Sequence, residues 1–150
     1  MDAAKRAKVE QMYRDAVQPH TNEPVLAAWM FYRSGSFAKV ALTQVSGLGA
    51  LAAGAIGKRK AAGLPQTFVL AVTPTHVRAF KAKPRGFGVK VGDELLSWDR
   101  RALTVTAEQA TVNTTVTLHP SGDGETVVCS TGKDEASLAM IRVMQEPVAA

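Results

Sequence analysis

The stretch TFVLAVTPTHVRAFKAK, residues 67–83, decides the fold class of this chain. Its first part, TFVLAVT (67–73), is rich in β-branched and aromatic residues, which favour strands over helices. Pro74 and Thr75 then provide a tight connection to HVRAFKAK (76–83), which is a second strand-like run. The pattern therefore predicts two consecutive antiparallel strands near the middle of the chain.

Four more strand-like segments follow on the C-terminal side, after a Pro/Gly-rich loop at 84–88. They are VKVGDELLSWDR (89–100), LTVTAE (103–108), TVNTTVTLH (111–119) and ETVVCST (125–131). In LTVTAE, apolar and polar residues alternate, which is typical of a half-buried antiparallel strand. Residues 120–124, PSGDG, are a turn. If the sheet forms as predicted, these side chains should be buried: Phe68, Leu70, Val72, Trp98, Val105, Val116 and Leu118.

Helices are predicted at both ends of the chain. Residues 2–17 carry a weak apolar stripe among basic residues, and two prolines in 18–24 end that helix. The apolar run 25–32 favours a further strand. Residues 133–146 form an amphipathic helix, for which Thr131 and Asp134 resemble a capping box and Pro147 is the stop signal. The predicted order is helix, strand, Gly/Ala-rich insert (34–66), six strands, helix.

The insert contains VSGLGALAAGAIGKRK (45–60), which superficially matches a dinucleotide-binding fingerprint. That motif requires a βαβ unit and an acidic residue about 20 positions further on, whereas LPQTFVLAVTP contains no acid. A P-loop is excluded as well, because Lys58 is followed by Arg59 rather than by Ser or Thr. The stretch therefore predicts no nucleotide site.

A membrane role for the same stretch stays open. Residues 40–57 carry no charge, but glycines and polar residues dilute the few large aliphatic side chains, so spanning is disfavoured. One alternative is shallow insertion of Leu48, Leu51 and Ile56 into a membrane, with flanking cations as headgroup anchors. The other is packing of the segment on the protein's own core.

Charge is distributed very unevenly along the chain. Residues 1–90 hold 14 Lys/Arg against 4 Asp/Glu, whereas residues 91–150 hold 4 against 9, and no acidic residue lies between Glu23 and Asp93. Such a split creates a surface that attracts anions, or merely a solvated face. One cysteine, Cys129, excludes an intramolecular disulfide and favours a reducing compartment, so a cytoplasmic location is expected.

The sequence predicts neither an enzyme nor a metal or cofactor site. The three histidines lie in different elements without metal-ligand spacing, and no nucleophile elbow is present. Cys129 lies within a strand without a neighbouring base. A nucleic-acid partner is disfavoured, because aromatic residues are few and no nucleic-acid-binding signature occurs, although the isoelectric point is near 9.6.

The order of elements from residue 25 to the last helix resembles pleckstrin-homology-like domains, with the small bacterial and GRAM-type members as the nearest in texture. The similarity rests on FVLAVTPTHVRAFKAK, ELLSWDRRALTV, TVTLHP and ETVVCST followed by a helix. It implies a mainly β (α+β) fold: a seven-strand partial barrel or sandwich with a C-terminal capping helix, here with an additional N-terminal helix. The implied domains are a helix at 1–22, the main domain at 23–146 with the insert at 34–66, and a tail at 147–150.

The resemblance also implies a function. Members bind anionic lipids or peptides with loops at one end of the sheet, which here are the first-to-second and third-to-fourth strand connections. Carried over by position, the anionic-lipid-binding residues are Lys39, Lys58, Arg59, Lys60, Lys81, Lys83, Arg85 and Lys90. The strand TFVLAVT lacks the basic residues of the family's inositol-phosphate pattern. The expected function is a non-enzymatic module at anionic membrane surfaces, or alternatively a protein-interaction domain, with the cations of both loops converging at one end.

Overall fold

The computed structural model describes residues 2–33, 64–86, 88–122 and 124–148. Seven strands and two α-helices occur in these ranges, so the expectation of a mainly β fold with a helix at each end is confirmed. The helices are α1 (Ala3–Val17) and α2 (Glu135–Gln145). The strands are β1 (Ala27–Arg33), β2 (Thr67–Val72), β3 (His76–Arg85), β4 (Gly88–Asp99), β5 (Leu103–Gln109), β6 (Thr114–Pro120) and β7 (Val127–Thr131). Single 3₁₀ turns lie at Gln18–His20 and Arg100–Ala102.

All seven strands belong to one antiparallel sheet with the order β4-β3-β2-β1-β7-β6-β5. The two halves of this sheet, β1–β4 and β5–β7, are joined where β1 meets β7. Among the described residues, that junction includes the pairs Tyr32 with Ser130 and Arg33 with Cys129. By contrast, β1 pairs with β2 over six residues, from Ala27–Val72 to Tyr32–Thr67. The seven-strand antiparallel sheet with a helix at each end of the chain is consistent with a sandwich or partial barrel.

Both faces of the central strands are covered. On one face, the core is closed by α2 through Met140, Ile141 and Met144. On the other face, α1 and the segment after it bury Val17 and Val25. Strand β2 therefore has buried residues on both faces, from Phe68 to Val72. This explains why its sequence is continuously apolar instead of alternating.

Each helix begins at an aspartate. The side chain of Asp2 accepts a hydrogen bond from the main-chain N–H of Lys5, and that of Asp134 accepts one from the N–H of Ser137. The prediction of Thr131 as part of the cap of α2 is wrong. Thr131 ends β7, and its hydroxyl donates to the carbonyl oxygen of Met30. No helix of the described residues is long and apolar enough to cross a membrane.

Burial agrees with the sequence prediction except at one position. Trp98 is half-buried, because it lies on β4, which is an edge strand of the sheet. The other expected core residues are buried: Phe68, Leu70, Val72, Val105, Val116 and Leu118. Several strand boundaries also differ from the prediction. Pro84, Arg85 and Gly88, expected in a loop, belong to β3 and β4, and residues 111–113, expected in a strand, precede β6.

Candidate functional site: the basic hairpin

Within the described ranges, the hairpin of β3 and β4 extends beyond the rest of the sheet. The pairing of β3 with β2 ends where Lys81 lies opposite Phe68, whereas its pairing with β4 continues to Arg85 and Gly88. Gly86 adopts a φ of 57° in the two-residue connection, a conformation that favours glycine in tight hairpins. The chain therefore forms a two-stranded arm, hereafter the basic arm, consisting of residues 81–86 and 88–92.

One face of the basic arm is apolar and buried, and the other is cationic and exposed. Ala82 and Val91 lie opposite each other and are buried in the cluster that α1 covers. Because side chains alternate along a strand, Lys81, Lys83 and Arg85 share the other face. Lys90 joins them, because it lies directly opposite Lys83. All four cationic side chains are exposed, and they form the basic face of the arm.

The basic face has no anionic partner within the described residues. The carboxylates there that form ion pairs within 4.0 Å do so with Arg6, His76 or Arg78. Like charges directly opposite each other across two strands, as at Lys83 and Lys90, destabilise a hairpin. The arm thus keeps an electrostatic repulsion that no ion pair between described residues relieves.

A depression of about 190 Å³ lies on the basic face, lined by Lys81, Ala82, Lys83, Lys90 and Gly92. A β-bulge shapes it. Ala82 is opposite Val91 and Phe80 is opposite Glu94, so two residues of β4, Gly92 and Asp93, lie against Lys81 alone.

The structure describes some of the predicted site residues. Lys81, Lys83, Arg85 and Lys90 lie together on the basic face, as described above. The remaining predicted residues lie outside the described part of the chain: Lys39, Leu48, Leu51, Ile56, Lys58, Arg59 and Lys60. The ends of that segment, Arg33 and Leu64, adjoin each other, and the Arg33 guanidinium donates to the Leu64 carbonyl at 3.5 Å. They lie at the end of the β1–β2 pair from which the basic arm extends.

A second polar cluster was missed by the sequence analysis. The hydroxyls of Thr73 and Thr75 donate to the carboxylate of Glu23, at 3.1 Å and 2.6 Å, and Arg78 approaches the same carboxylate at 3.4 Å. The hydrogen bond from Thr75, followed by those from Thr73 and Arg78, holds the pKa of Glu23 below its ordinary value. Arg78 also pairs with Glu94 at 2.8 Å, which raises the pKa of Arg78. The cluster fastens the segment after α1 to the β2–β3 turn.

The remaining reactive groups are spread over the fold. Cys129 is fully buried, and burial raises the pKa of its thiol to about 12, so it stays protonated at neutral pH. His20 lies against Phe80 with a ring separation of 5.9 Å, whereas His119 lies near Thr106. Within the described ranges, no group of three or more His, Cys, Asp or Glu side chains is arranged to hold a metal ion.

No protein-family model, no curated protein and no solved structure matches this chain.

Proposed function

We propose that this chain is a non-enzymatic binding module with a pleckstrin-homology-like fold, and that its basic arm attaches it to anionic membrane surfaces. The fold proposal is supported by seven antiparallel strands followed by a helix that closes the core. The functional proposal is supported above all by one observation. Four exposed cations share one face of a protruding hairpin, and no carboxylate among the described residues pairs with them.

The charge of the basic face suits reversible attachment. Each Lys or Arg near an anionic leaflet contributes about 1 kcal/mol, so the four cations together contribute about 4 kcal/mol. That corresponds to weak binding that salt would disrupt, because charges separated by more than about 10 Å are screened at 0.1 M ionic strength. The apolar side of the arm packs against the region that α1 covers, which keeps the basic side turned outward.

Vesicle sedimentation tests this function. The protein should sediment with phosphatidylglycerol vesicles at low salt, but not with neutral phosphatidylcholine vesicles, and should be released by 0.5 M salt. The double variant Lys83→Ser/Lys90→Ser should lose most of this binding. Its matched control is Lys5→Ser/Lys8→Ser, which removes the same charge from exposed positions of α1.

Two results would contradict the proposal. One is an absence of sedimentation of the parent protein with any anionic vesicle. The other is an equal loss of binding in both double variants, which would mean that net charge matters and the arm does not. Either result would leave the protein-interaction alternative as the better explanation of the fold.

A further inference from the structure

We infer that a groove between the two helices binds a short extended peptide of small residues with free amino and carboxyl ends. The groove lies along the first half of β1, with α1 on one side and α2 on the other, and its volume is about 130 Å³. It shares no lining residue with the depression on the basic arm. The inference therefore stands apart from the proposed function, which concerns the arm.

The floor of the groove is an unpaired edge of β1. The N–H and C=O groups of successive residues in an antiparallel strand point to opposite sides. The N–H of Arg33 points to β2, where it donates to the Gln66 carbonyl. The carbonyl of Met30 points to the β7 side, where it accepts from the Thr131 hydroxyl. By this alternation the main-chain groups of Ala28 also point to the β7 side. Strand β7 ends at Thr131, and within the described residues no other strand pairs with β1 on that side.

An extended peptide is complementary to such an edge, because the main-chain groups of one strand pair with those of another. Ala28 is 4% exposed, so its N–H and C=O groups have little access to water, and leaving them unpaired costs free energy. Ala136 and Ala139 of α2 form part of one wall, and their small side chains let another main chain approach. They leave space for small side chains only, which limits the size of the ligand residues.

One end of the groove is closed. There, the indole N–H of Trp29 donates to the Ser137 hydroxyl at 3.0 Å, and the Thr131 hydroxyl lies 3.3 Å from the same oxygen. These contacts join β1 to α2, so a long chain cannot pass through. The stretch from Ala27 to Trp29 offers pairing for about three residues, which span about 10 Å when extended.

The two ends of the groove carry opposite charges. At the closed end, Arg6 forms ion pairs with both Glu10 and Glu135, so two carboxylates share one guanidinium. One helical turn after Glu10, Arg14 donates to Gln11 and forms no ion pair within the described residues. A peptide that runs antiparallel to β1, as β7 does, places its ammonium group at the acidic end and its carboxylate at Arg14. Both terminal charges are thereby matched.

NMR titration of the full chain with trialanine tests the site. Trialanine should bind with a Kd on the order of 1 mM, as expected of so small a ligand. It should also shift the amide signal of Ala28, because that N–H gains a hydrogen-bond partner. N-acetyl-trialanine and trialanine amide each lack one terminal charge, so each should bind about fivefold more weakly, the effect of one partly exposed ion pair.

Variants separate the shape of the groove from its charges. Leucine favours helices, and in Ala139→Leu its larger side chain fills the groove, so trialanine binding should be lost while thermal melting shows that the variant folds. Ala7→Leu is the matched control, because it adds the same side chain at an exposed position of α1 outside the groove. Arg14→Gln should bind trialanine and its amide equally, because it removes the charge that pairs with the carboxylate.

Any of three results would overturn the inference. The first is an absence of shifts at the groove residues when trialanine is added at millimolar concentration. The second is unchanged trialanine binding by folded Ala139→Leu. The third is equal affinity of the parent for trialanine and its amide, which would favour the amino-terminal end of a longer chain as the ligand. Vesicle binding through the basic arm is unaffected by all three, so the two proposals fail separately.

Discussion

At the scale of single residues, Glu23 connects the segment after α1 to the β2–β3 turn. Its carboxylate accepts hydrogen bonds from two threonine hydroxyls at the β2–β3 turn and lies 3.4 Å from the guanidinium of Arg78. It belongs to the segment between α1 and β1, which contributes Val25 to the core. One side chain thereby fixes the path of the chain from the helix into the sheet.

The first prediction concerns the acid stability of this contact. Because the folded-state pKa of Glu23 lies below its ordinary value of 4.5, its stabilising contribution is complete above that value and is lost as the pH falls through the folded-state pKa. Glu23→Gln should lower the free energy of unfolding by about 1 kcal/mol at pH 7, the size of a typical hydrogen bond. The variant should also lose less stability than the parent between pH 5 and pH 3, as measured by urea unfolding. Identical acid dependence would contradict this role.

The second prediction concerns Gly132, which precedes the aspartate cap of α2. A Cβ atom at this position would overlap the Oδ1 atom of Asp134 and approach Ser137 Oγ to 3.1 Å. Gly132→Ala should therefore displace the cap and cost about 1–2 kcal/mol, comparable to the loss of a capping side chain. Gly92→Ala is the control, since its Cβ has ordinary contacts. Equal thermal midpoints of the two variants would show that the cap tolerates the added methyl group.

At the scale of elements, α2 acts through one narrow stripe of side chains. Met140, Ile141 and Met144 are buried against the sheet, whereas Leu138 is only half-buried. The hydroxyl of Ser137, at the start of the helix, also accepts a hydrogen bond from the indole N–H of Trp29 at 3.0 Å. The helix is therefore anchored at its first turn and packed along its length.

The third prediction distinguishes the positions of this stripe. Ile141→Ala should lower the free energy of unfolding by about 2–5 kcal/mol, because it leaves a cavity in the core. Leu138→Ala should cost clearly less, because part of that side chain already contacts solvent. Arg142→Ala, on the exposed face, is the control and should stay within about 0.5 kcal/mol of the parent. Chemical denaturation of the three variants gives the ranking, and equal costs at Leu138 and Ile141 would contradict the observed packing.

Local patterns predicted the elements well but not how they meet. Alternation in LTVTAE and the β-branched run in TFVLAVT indicate strands from neighbouring residues alone, and both form. The sequence predicts Thr131 as the residue that caps α2, whereas Asp134 caps it in the structure. A threonine suits a cap as well as an aspartate does, and only its position at the end of β7 excludes Thr131. The Glu23 cluster joins residues about 50 positions apart, and no local pattern reports such a contact.

For the basic arm, the sequence predicted the cations but not their shared face. The sequence predicts Lys81 and Lys83 at the end of a strand and Arg85 in the loop that follows, whereas the position of Lys90 depends on the register of β4. That register includes bulges, which depend on how β4 fits against β3. The depression beside Gly92 could not be predicted for the same reason.

At the scale of the whole molecule, α1 is a cover for one face of the sheet. Val17 is fully buried in the cluster that includes Val69, Phe80 and Val91. Toward the other end of the helix, Arg6 forms an ion pair with Glu135 of α2. Helix α1 thus extends from the half of the sheet that carries the basic arm to the C-terminal helix α2.

The fourth prediction tests this cover. Val17→Asp places an unpaired charge in the cluster and should destabilise the protein by at least about 3 kcal/mol, since buried unpaired charges are among the costliest substitutions. Exposure of the underlying face should increase binding of a hydrophobic dye and proteolysis within residues 2–22. Ala7→Asp, which adds the same charge at an exposed position, should do neither. Similar dye binding in both variants would show that α1 does not protect the sheet.

The junction between β1 and β7 also sets the order in which the chain can fold during synthesis. Strands β2, β3 and β4 follow one another closely, so their hairpins can form as soon as they leave the ribosome. Strand β1 emerges earlier, yet its partners for the junction, Ser130 and Cys129, lie about a hundred residues later. Contacts of such long separation form slowly and late. The half of the sheet that carries the basic arm is therefore synthesised first. Its apolar face stays uncovered until β7 and α2 have been synthesised and pack against it.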